Sequence, residues 1–271
     1  MRYSAIALGL LLCGACFAGA NQFVMIADIQ NDVTGLDQMA SEIIAVHPPF
    51  LIALGDQPTS FDPRANFFQR IREGGTEIHI SMGNHDGGTR SELRQTLPPF
   101  PFNSEVAPTR FVVDNKYYYS FNRGGIHFVI VDTSGGTADQ IEWLENDLIR
   151  HANNPNKYPA LLFMHEIGWM LKNGPIYRML AEHPTEHTVK AGFGGHSHVG
   201  ENFPLEESNG IPCCTLFASA RFGSQNQTEY VIATVGPDKI TFERKIVLDD
   251  GKGRDFQIAP ISGGPFTSLE K

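Results

Sequence analysis

The sequence predicts an α/β fold, and three observations carry that prediction. Short apolar runs alternate with amphipathic stretches after the N-terminal segment, which is the pattern of βαβ units around a sheet buried on both faces. The 271 residues, of which 41% are hydrophobic and 19% charged, suffice to build a large core. The sequence also contains no internal repeat and no linker that would divide it, so a single domain is expected.

The period of the apolar residues assigns the first elements. Strands are expected at residues 23–27, 50–54 and 77–82, and helices at residues 36–47 and 63–75. Pro63 suits the first turn of its helix, and the pair Gly74-Gly75 suits the exit from it. The order strand, helix, strand, helix, strand corresponds to two successive βαβ units.

The later elements are less regular. Residues 97–116 are rich in proline and lack a period, which predicts an exposed loop over the sheet edge. Residues 116–134 read as a hairpin that turns at Arg123-Gly124-Gly125, and residues 137–151 have helical spacing. Strand-to-loop junctions follow at 159–166 and 190–198, late strands near 228–235 and 239–247 are expected to pair antiparallel, and the tail after Gly251 is expected to be poorly ordered.

The first twenty residues have the layout of a cleavable secretory signal. One arginine precedes an apolar run, which ends in the small residues Ala18-Gly19-Ala20. An uncleaved membrane anchor is the alternative, but the apolar stretch is short for a bilayer span of about 20 residues. We therefore expect a signal peptide at 1–20, a secreted domain at 21–250 in the extracellular space or a periplasm, and a C-terminal tail at 251–271.

The cysteines and the net charge exclude several classes of protein. Removal of the signal would leave only the adjacent Cys213 and Cys214, which is no disulfide framework; two thiols packed under a sheet are favoured over a strained bridge between them. A formal charge of -9 without any basic run argues against a nucleic-acid partner. A small anionic substrate would therefore need a local cationic centre, such as a metal.

Residues of the kinds that bind metals follow the apolar runs directly. They are Asp28 with Gln30, Asp56, Asn84 with His85, His165, and His196 with His198. In an open α/β sheet the loops past the carboxyl ends of the strands converge on one crevice, so residues about 170 positions apart can share one site. Two divalent cations about 3.5 to 4 Å apart need a bridging carboxylate and can clamp a phosphate during in-line attack. Asp56 is the candidate bridge.

The order of these motifs resembles the calcineurin-like metallophosphoesterase superfamily. The match runs through Asp-x-Gln, GD, GNHD, a lone His and GHxH, from Asp28 to His198. The resemblance implies two packed mixed β-sheets flanked by helices in a four-layer architecture. It also implies that Asp28, Gln30, Asp56 and His198 hold one metal, and that Asp56, Asn84, His165 and His196 hold the other.

The resemblance assigns two further roles and one departure. His85 would face the substrate and donate a hydrogen bond or a proton, and Asp86 would orient it. Gln30 departs from the commonest first motif, which has histidine there, and is similar to the motif of manganese-dependent ADP-ribose/CDP-alcohol diphosphatases. Three oxygen donors and one nitrogen suit Mn²⁺ or Mg²⁺ better than Zn²⁺. We expect two divalent ions, with manganese favoured over iron, zinc or magnesium.

The resemblance implies hydrolysis of phosphoric esters or phosphoanhydrides in a small phosphorylated substrate. Residues 55–62 lack the tyrosine that purple acid phosphatases carry soon after their GD motif, and the GDxxDRG form of protein serine/threonine phosphatases is absent. A phosphodiester or nucleotide-type substrate is therefore favoured. The alternative is a non-catalytic binding module whose first metal site has degenerated at Gln30.

Several other residues have both a structural and a functional interpretation. His79 and His127 fall within predicted strands and are expected to be satisfied core residues. Trp169 and Phe193 are candidates for the floor of a substrate pocket, although aromatic residues near a site usually pack its walls. Arg221 is a candidate phosphate contact, with a surface ion pair as the equal alternative.

Overall fold

The computed structural model describes most of the chain after the predicted signal. The described residues are 21–29, 36–57, 65–86, 110–111, 118–135, 138–155, 157–184, 186–219, 227–249, 256–260 and 268–271. The predicted signal peptide lies outside them. None of the helices in these ranges is long and apolar enough to cross a membrane.

The described residues form two mixed sheets and four α-helices. The strands are β1 (Gln22–Ile26), β2 (Phe50–Leu54), β3 (Glu77–Ser81), β4 (Arg110–Phe111), β5 (Tyr118–Arg123), β6 (Ile126–Ile130), β7 (Ala160–Phe163), β8 (Val189–Gly194), β9 (Glu201–Phe203), β10 (Cys213–Thr215), β11 (Gln227–Val235), β12 (Lys239–Asp249), β13 (Phe256–Pro260) and β14 (Ser268–Glu270). The helices are α1 (Leu36–Val46), α2 (Ala65–Glu73), α3 (Ala138–Ala152) and α4 (Pro175–Glu182).

The first sheet has the order β13-β12-β11-β1-β2-β3, and β14 also pairs with β12. Strands β1, β2 and β3 are parallel, as the predicted βαβ units require, whereas β11 runs antiparallel to β1. The carboxyl ends of the three parallel strands therefore lie at one edge of the sheet, where loops can form a shared site.

The second sheet has the order β4-β5-β6-β7-β8-β10-β9. Its centre is parallel from β6 through β7 and β8 to β10, and β5 joins β6 in the predicted hairpin. Both turn residues, Gly124 and Gly125, have positive φ angles of 58° and 74°. That conformation favours glycine and matches the twist of the two strands.

The two sheets pack face to face over an aromatic interior. Phe23 of β1 meets Phe128 of β6 edge to face, with their ring centres 5.2 Å apart. Phe163 of β7 stacks on Phe193 of β8, also with ring centres 5.2 Å apart. Apolar faces of α1 and α2 cover the outer side of the first sheet, and those of α3 and α4 cover the second. The predicted four-layer α/β sandwich is thus confirmed.

Two expectations about irregular segments need correction. The tail was expected to be poorly ordered, but β13 and β14 both pair with β12, and Leu269 is buried in the interior between the sheets. The predicted loop at 97–116 contains strand β4 at Arg110–Phe111, paired with β5; its other residues lie outside the described part.

The isolated histidines and the cysteines behave as expected. His79 is fully buried, with Nδ1 3.2 Å from the Tyr119 hydroxyl, and His127 lies between Asn122 and Asp147. Cys213 and Cys214 are free thiols on opposite faces of β10. Cys213 packs in the outer cluster, formed between the second sheet and helices α3 and α4, and Cys214 packs in the interior between the sheets. Burial raises the pKa of the Cys213 thiol to about 11, so both cysteines serve packing.

Candidate metal centre

The described candidate ligands lie just beyond the carboxyl ends of parallel strands. Asp28, Asp56, His165 and His196 each follow the last residue of a strand by two positions, and Asn84 follows β3 by three. The backbone of Asp28 donates to the Gly55 carbonyl at 3.2 Å, which ties the ends of β1 and β2 together. Five loops from two sheets therefore meet at one place.

Four candidate ligands have an unusual backbone conformation. Asp28, Asp56, His196 and His198 have φ angles of 53°, 54°, 69° and 59°, in the left-handed region that residues with a Cβ rarely occupy. Such residues cost on the order of 1–3 kcal/mol each and cluster at functional sites, where the surrounding structure holds them in place. All four residues therefore lie in sharp turns that follow the strands.

His165, Asn84 and His196 form one cluster of ligand atoms. Nδ1 of His165 lies 2.8 Å from the Leu54 carbonyl oxygen, so this nitrogen carries the hydrogen and donates it. The opposite nitrogen, Nε2, lies 2.9 Å from Oδ1 of Asn84 and 3.2 Å from Nδ1 of His196. The second histidine is also 3.0 Å from the same amide oxygen. Three electron-pair donors therefore face one another.

Asp28, Asp56 and His198 form the second cluster. One ligand atom from each lies within 4.8 Å of the other two. Nε2 of His198 is 3.5 Å from Oδ1 of Asp28, and both Asp28 oxygens accept the backbone N–H of His196, at 3.1 and 3.0 Å. The aspartates are almost fully buried, whereas His198 is partly exposed.

Asp56 connects the two clusters. Its Oδ1 lies 3.4 Å from Nε2 of His165, and the same residue belongs to the group with Asp28 and His198. Oδ1 also accepts the backbone N–H of His85 at 2.9 Å. This carboxylate therefore lies between the two clusters, and its role as a metal bridge stays a prediction.

The donor set fits divalent cations. Carboxylate oxygens, an amide oxygen and imidazole nitrogens converge with their lone pairs facing each other, and a cation between them removes the repulsion. The hydrogen bond from His165 to Leu54 fixes the ring tautomer in the way that metal-bound histidines require. The residues present thus suit two adjacent metals, one in each cluster.

The electrostatics of the protein alone point the same way. Burial by itself would lower the pKa of His165, but the Asp56 and Asp28 carboxylates and the Leu54 carbonyl raise it to about 9. Burial by itself would raise the pKa of Asp56, but His165 and His85 hold it below its ordinary value. The hydrogen bond to Asp28 likewise raises the pKa of His198. The site therefore attracts positive charge.

His85 and Asp86 occupy different environments. His85 is exposed at the mouth of the site, next to Asn84. Asp86 is fully buried, and its carboxylate accepts the backbone N–H groups of Gln57 at 2.6 Å and Gly83 at 2.7 Å. Burial raises the pKa of this carboxyl to about 6. These contacts show Asp86 joining the turns after β2 and β3; its orientation of the His85 ring stays a prediction.

Two glycines permit the close packing of these turns. A Cβ on Gly55 would lie 2.3 Å from Nδ1 of His165, and its φ of +86° disfavours other residues as well. A Cβ on Gly83 would lie 2.2 Å from both the backbone nitrogen and Oδ1 of Asp56. Any larger residue at either position would displace a candidate ligand.

Of four further residues singled out from the sequence, two fall outside the described part of the chain and two have other positions in the fold. Gln30 and Arg221 fall outside the described residues, so both assignments stay predictions. Phe193 is fully buried between the sheets, which excludes it from the floor of a pocket. Trp169 is partly buried against the outer cluster beside α4.

Two residues at the site were not recognisable from their local sequence. The Ser219 hydroxyl accepts the backbone N–H of Ala27 at 3.0 Å, and the Ser219 N–H donates to the Ala27 carbonyl at 2.6 Å, which anchors the end of β1. Asp132 follows β6 by the same two positions as the ligands, but its carboxylate accepts the N–H groups of Ser134 and Gly135. Position after a strand alone therefore does not identify a ligand.

Comparison with known proteins places this geometry in a family. A profile of the calcineurin-like phosphoesterase family matches residues 22–200. Purple acid phosphatase 15 of Arabidopsis thaliana is 30% identical over 102 residues, which cover 34% of this chain and 18% of that protein. Purple acid phosphatase 13 of the same plant is 26% identical over 116 residues, which cover 41% and 21%. The matched stretch thus spans about a fifth of each curated relative.

A solved structure shares the fold over nearly the whole chain. The crystal structure of a dimetal phosphatase from Danio rerio superposes with a TM-score of 0.61 and 14% identity, covering 90% of this chain and 100% of that one. The family profile covers more than half of the chain and contains every candidate ligand, from Asp28 to His198. This chain therefore belongs to the calcineurin-like phosphoesterase family.

Proposed function

We propose that the protein is a hydrolase of phosphoric esters or phosphoanhydrides that uses a dinuclear centre of divalent metals. The observation that carries this proposal is the position of Asp56 between two clusters of electron-pair donors, 3.4 Å from His165 and grouped with Asp28 and His198. Two metals sharing one carboxylate are the arrangement that clamps a phosphate for in-line displacement. Membership of the phosphoesterase family supports the same chemistry.

The described residues divide into two coordination sets. Asp28, Asp56 and His198 would hold one metal, with Gln30 as the fourth ligand that the family resemblance implies. Asp56, Asn84, His165 and His196 would hold the other. When bound, the metals would supply Lewis acidity toward the phosphoryl group and lower the pKa of water.

The protein contributes orientation and proton transfer. The Leu54 carbonyl holds His165 in the tautomer that presents Nε2 to the site. The backbone N–H of His85 donates to Asp56, and its side chain is exposed, which supports a position of the ring beside the centre. From there the ring would donate a proton to the leaving oxygen, a contribution of about 10²–10⁴ in rate when such a group is well placed.

We favour a phosphodiester or nucleotide-type small molecule as substrate and manganese as metal. The Arabidopsis relatives are purple acid phosphatases, but residues 55–62 contain no tyrosine to serve as their additional ligand. The oxygen-rich ligand set around Asp28 supports Mn²⁺.

Paired chromogenic substrates test this proposal. The purified protein is stripped with a chelator, reconstituted with Mn²⁺, Fe²⁺, Zn²⁺ or Mg²⁺, and assayed with bis(p-nitrophenyl) phosphate and p-nitrophenyl phosphate. We expect metal-dependent turnover, highest with Mn²⁺ and with the diester. Higher turnover of the monoester would overturn the substrate preference. Protein that binds no Mn²⁺ and hydrolyses neither compound would instead be the non-catalytic binding module.

We also propose that the protein is secreted after cleavage before Asn21. The support is the sequence of residues 1–20 alone. N-terminal sequencing of protein recovered from its native host tests this, and recovery of intact Met1 on the mature protein would refute it.

A further inference from the structure

A buried ion pair lies between the two sheets, near the candidate metal centre. Glu229 of β11 and Arg244 of β12 are 1% and 6% exposed. The guanidinium donates to both carboxylate oxygens, from Nε at 3.0 Å and from Nη2 at 2.5 Å. Strand alternation puts these side chains on the same face as Val231 and Phe242, which belong to the interior between the sheets.

Along the first sheet, the ion pair lies beside the end of β1, where the candidate metal centre begins. Strand β11 runs antiparallel to β1 with Val231 opposite Met25, so Glu229 lies alongside Ala27, the residue before Asp28. Ala27 is itself held by Ser219 through two hydrogen bonds. The segment from Phe217 to Ser219 therefore runs past the end of β1.

Phe217 connects the pair to the loop that carries the candidate histidine ligands. Its backbone N–H donates to the Glu229 carboxylate, and the Arg244 guanidinium carbon lies 4.8 Å from the centre of its ring. The ring packs against Gly200, where a Cβ would lie 2.4 Å from Cδ2 of Phe217 and 3.3 Å from Nη2 of Arg244. Gly200 comes two residues after His198.

The cost of burial indicates what the pair does. Removing two charges from water costs several kcal/mol per ion, and well-packed apolar replacements of such pairs are often neutral or stabilising. Stability alone therefore does not account for the pair. Its planar, two-pronged geometry does fix the position of the Phe217 backbone and ring.

We propose that Arg244 and Glu229 are positioning residues that hold Asp28 and His198 in place for the first metal. The pair acts through Phe217 on the loop at Gly200, and through the segment ending at Ser219 on the end of β1. It sets the affinity of the centre for one metal and leaves the other, at Asn84, His165 and His196, largely unaffected. This inference rests on the proposed dinuclear centre.

A matched pair of glycine variants tests the contact from the loop side. Gly200→Ala places a methyl group against the Phe217 ring, whereas Gly168→Ala adds the same group where nothing lies within 4 Å. Mn²⁺ is titrated into chelator-stripped protein by calorimetry, with free Mn²⁺ followed by electron paramagnetic resonance. In Gly200→Ala we expect the affinity for one of the two Mn²⁺ equivalents to fall at least about tenfold, because loss of contacts that support metal ligands typically weakens metal binding by that much. The other equivalent should change less than about threefold, and Gly168→Ala should match the wild type.

A second set of variants tests the pair itself. The double variant Glu229→Leu with Arg244→Met removes both charges and keeps the volume, and circular dichroism and thermal melting report whether it folds. We expect the same selective loss of one Mn²⁺ equivalent, with Arg244→Lys intermediate because it keeps the charge and loses the fork. Wild-type affinity for both equivalents in the double variant would overturn the proposal, as would equal weakening of both.

If the double variant does not fold, the comparison of Gly200→Ala with Gly168→Ala still tests the positioning role. Failure of this inference is also distinguishable from failure of the proposed function. Wild-type protein that takes up none of Mn²⁺, Fe²⁺, Zn²⁺ and Mg²⁺ refutes the dinuclear centre. Wild-type protein that takes up two equivalents, with Gly200→Ala unchanged, refutes only the positioning role.

Discussion

Among single residues, Asp56 makes contacts to both donor clusters of the candidate metal centre. Its carboxylate belongs to both donor clusters, accepts the His85 backbone N–H, and leaves the strand end with a φ of 54°. Asp132 also follows its strand by two positions, but it does not have a positive φ, and its carboxylate accepts N–H groups of its own turn. The two aspartates therefore differ in backbone conformation and in the partners of their carboxylates.

The variant Asp56→Asn should lose turnover almost completely. The amide keeps the size of the side chain but removes the charge that two cations would share, so we expect kcat/KM to fall at least about a thousandfold, roughly 4 kcal/mol of transition-state stabilisation. The assay uses both chromogenic substrates at saturating Mn²⁺. Near wild-type rates would show that Asp56 does not bridge the metals.

The variant His85→Ala should separate catalysis from metal binding. His85 is exposed and touches Asp56 through its backbone N–H, which alanine retains. We therefore expect about 10²–10⁴-fold lower kcat with Mn²⁺ content nearly unchanged. Mass spectrometry of metal content accompanies the kinetics. Loss of a metal equivalent would place the ring among the ligands instead.

Among the elements, helix α3 is attached to the second sheet by a buried polar network. Nε2 of His127 lies 2.8 Å from Asp147 of α3, its Nδ1 lies 2.6 Å from Asn122, and its ring stacks on His151 at 4.0 Å. His127 is at the start of β6, so the network lies at the end of the sheet opposite the metal centre. It stabilises the scaffold and takes no part in the site.

The variant Asp147→Ala should destabilise this attachment. Removing this buried carboxylate leaves His127 without its charged hydrogen-bond partner, and we expect the free energy of unfolding to fall by about 3 kcal/mol. Urea denaturation followed by circular dichroism measures it. Asn146→Ala, an exposed neighbour on the same helix, is the control and should change stability by less than about 0.5 kcal/mol. Equal stability of the two variants would contradict the role of the network.

The pH dependence of this effect has a definite sign. Burial by itself would raise the pKa of Asp147, but the hydrogen bond and charge of His127 hold it below the ordinary value of about 3.8. A depressed folded-state pKa stabilises the protein above the unfolded pKa, and this contribution is lost as the pH falls through the folded value. The stability difference between wild type and Asp147→Ala should therefore be full at pH 7 and shrink below about pH 4. Chelator in all samples removes any contribution from metals.

For the whole molecule, the parts that could be predicted from the sequence depend on local patterns. Apolar periods predict the strands. Polar residues after strands such as β2 and β7 predict the candidate ligands, because parallel strands bring their carboxyl ends to one edge. Contacts between distant segments leave no such pattern. Ser219 meets Ala27 across 192 positions, and Glu229 and Arg244 read as ordinary strand residues until the second sheet is in place. Leu269 likewise becomes a core residue only through pairing with β12.

Bound metals should stabilise the whole molecule. Five strained or buried loops meet at the centre, and ions that bind only the folded state shift the unfolding equilibrium by about 2.7 kcal/mol at a hundred times Kd. For a domain of this size that corresponds to a rise in Tm of roughly 5–10 °C. Thermal melts of chelator-stripped protein with and without Mn²⁺ measure the rise. Asp56→Asn serves as the matched control and should show a clearly smaller rise. A wild-type Tm that does not respond to Mn²⁺ would mean that the converging side chains do not bind Mn²⁺, because specific binding to the folded state cannot leave the equilibrium unchanged.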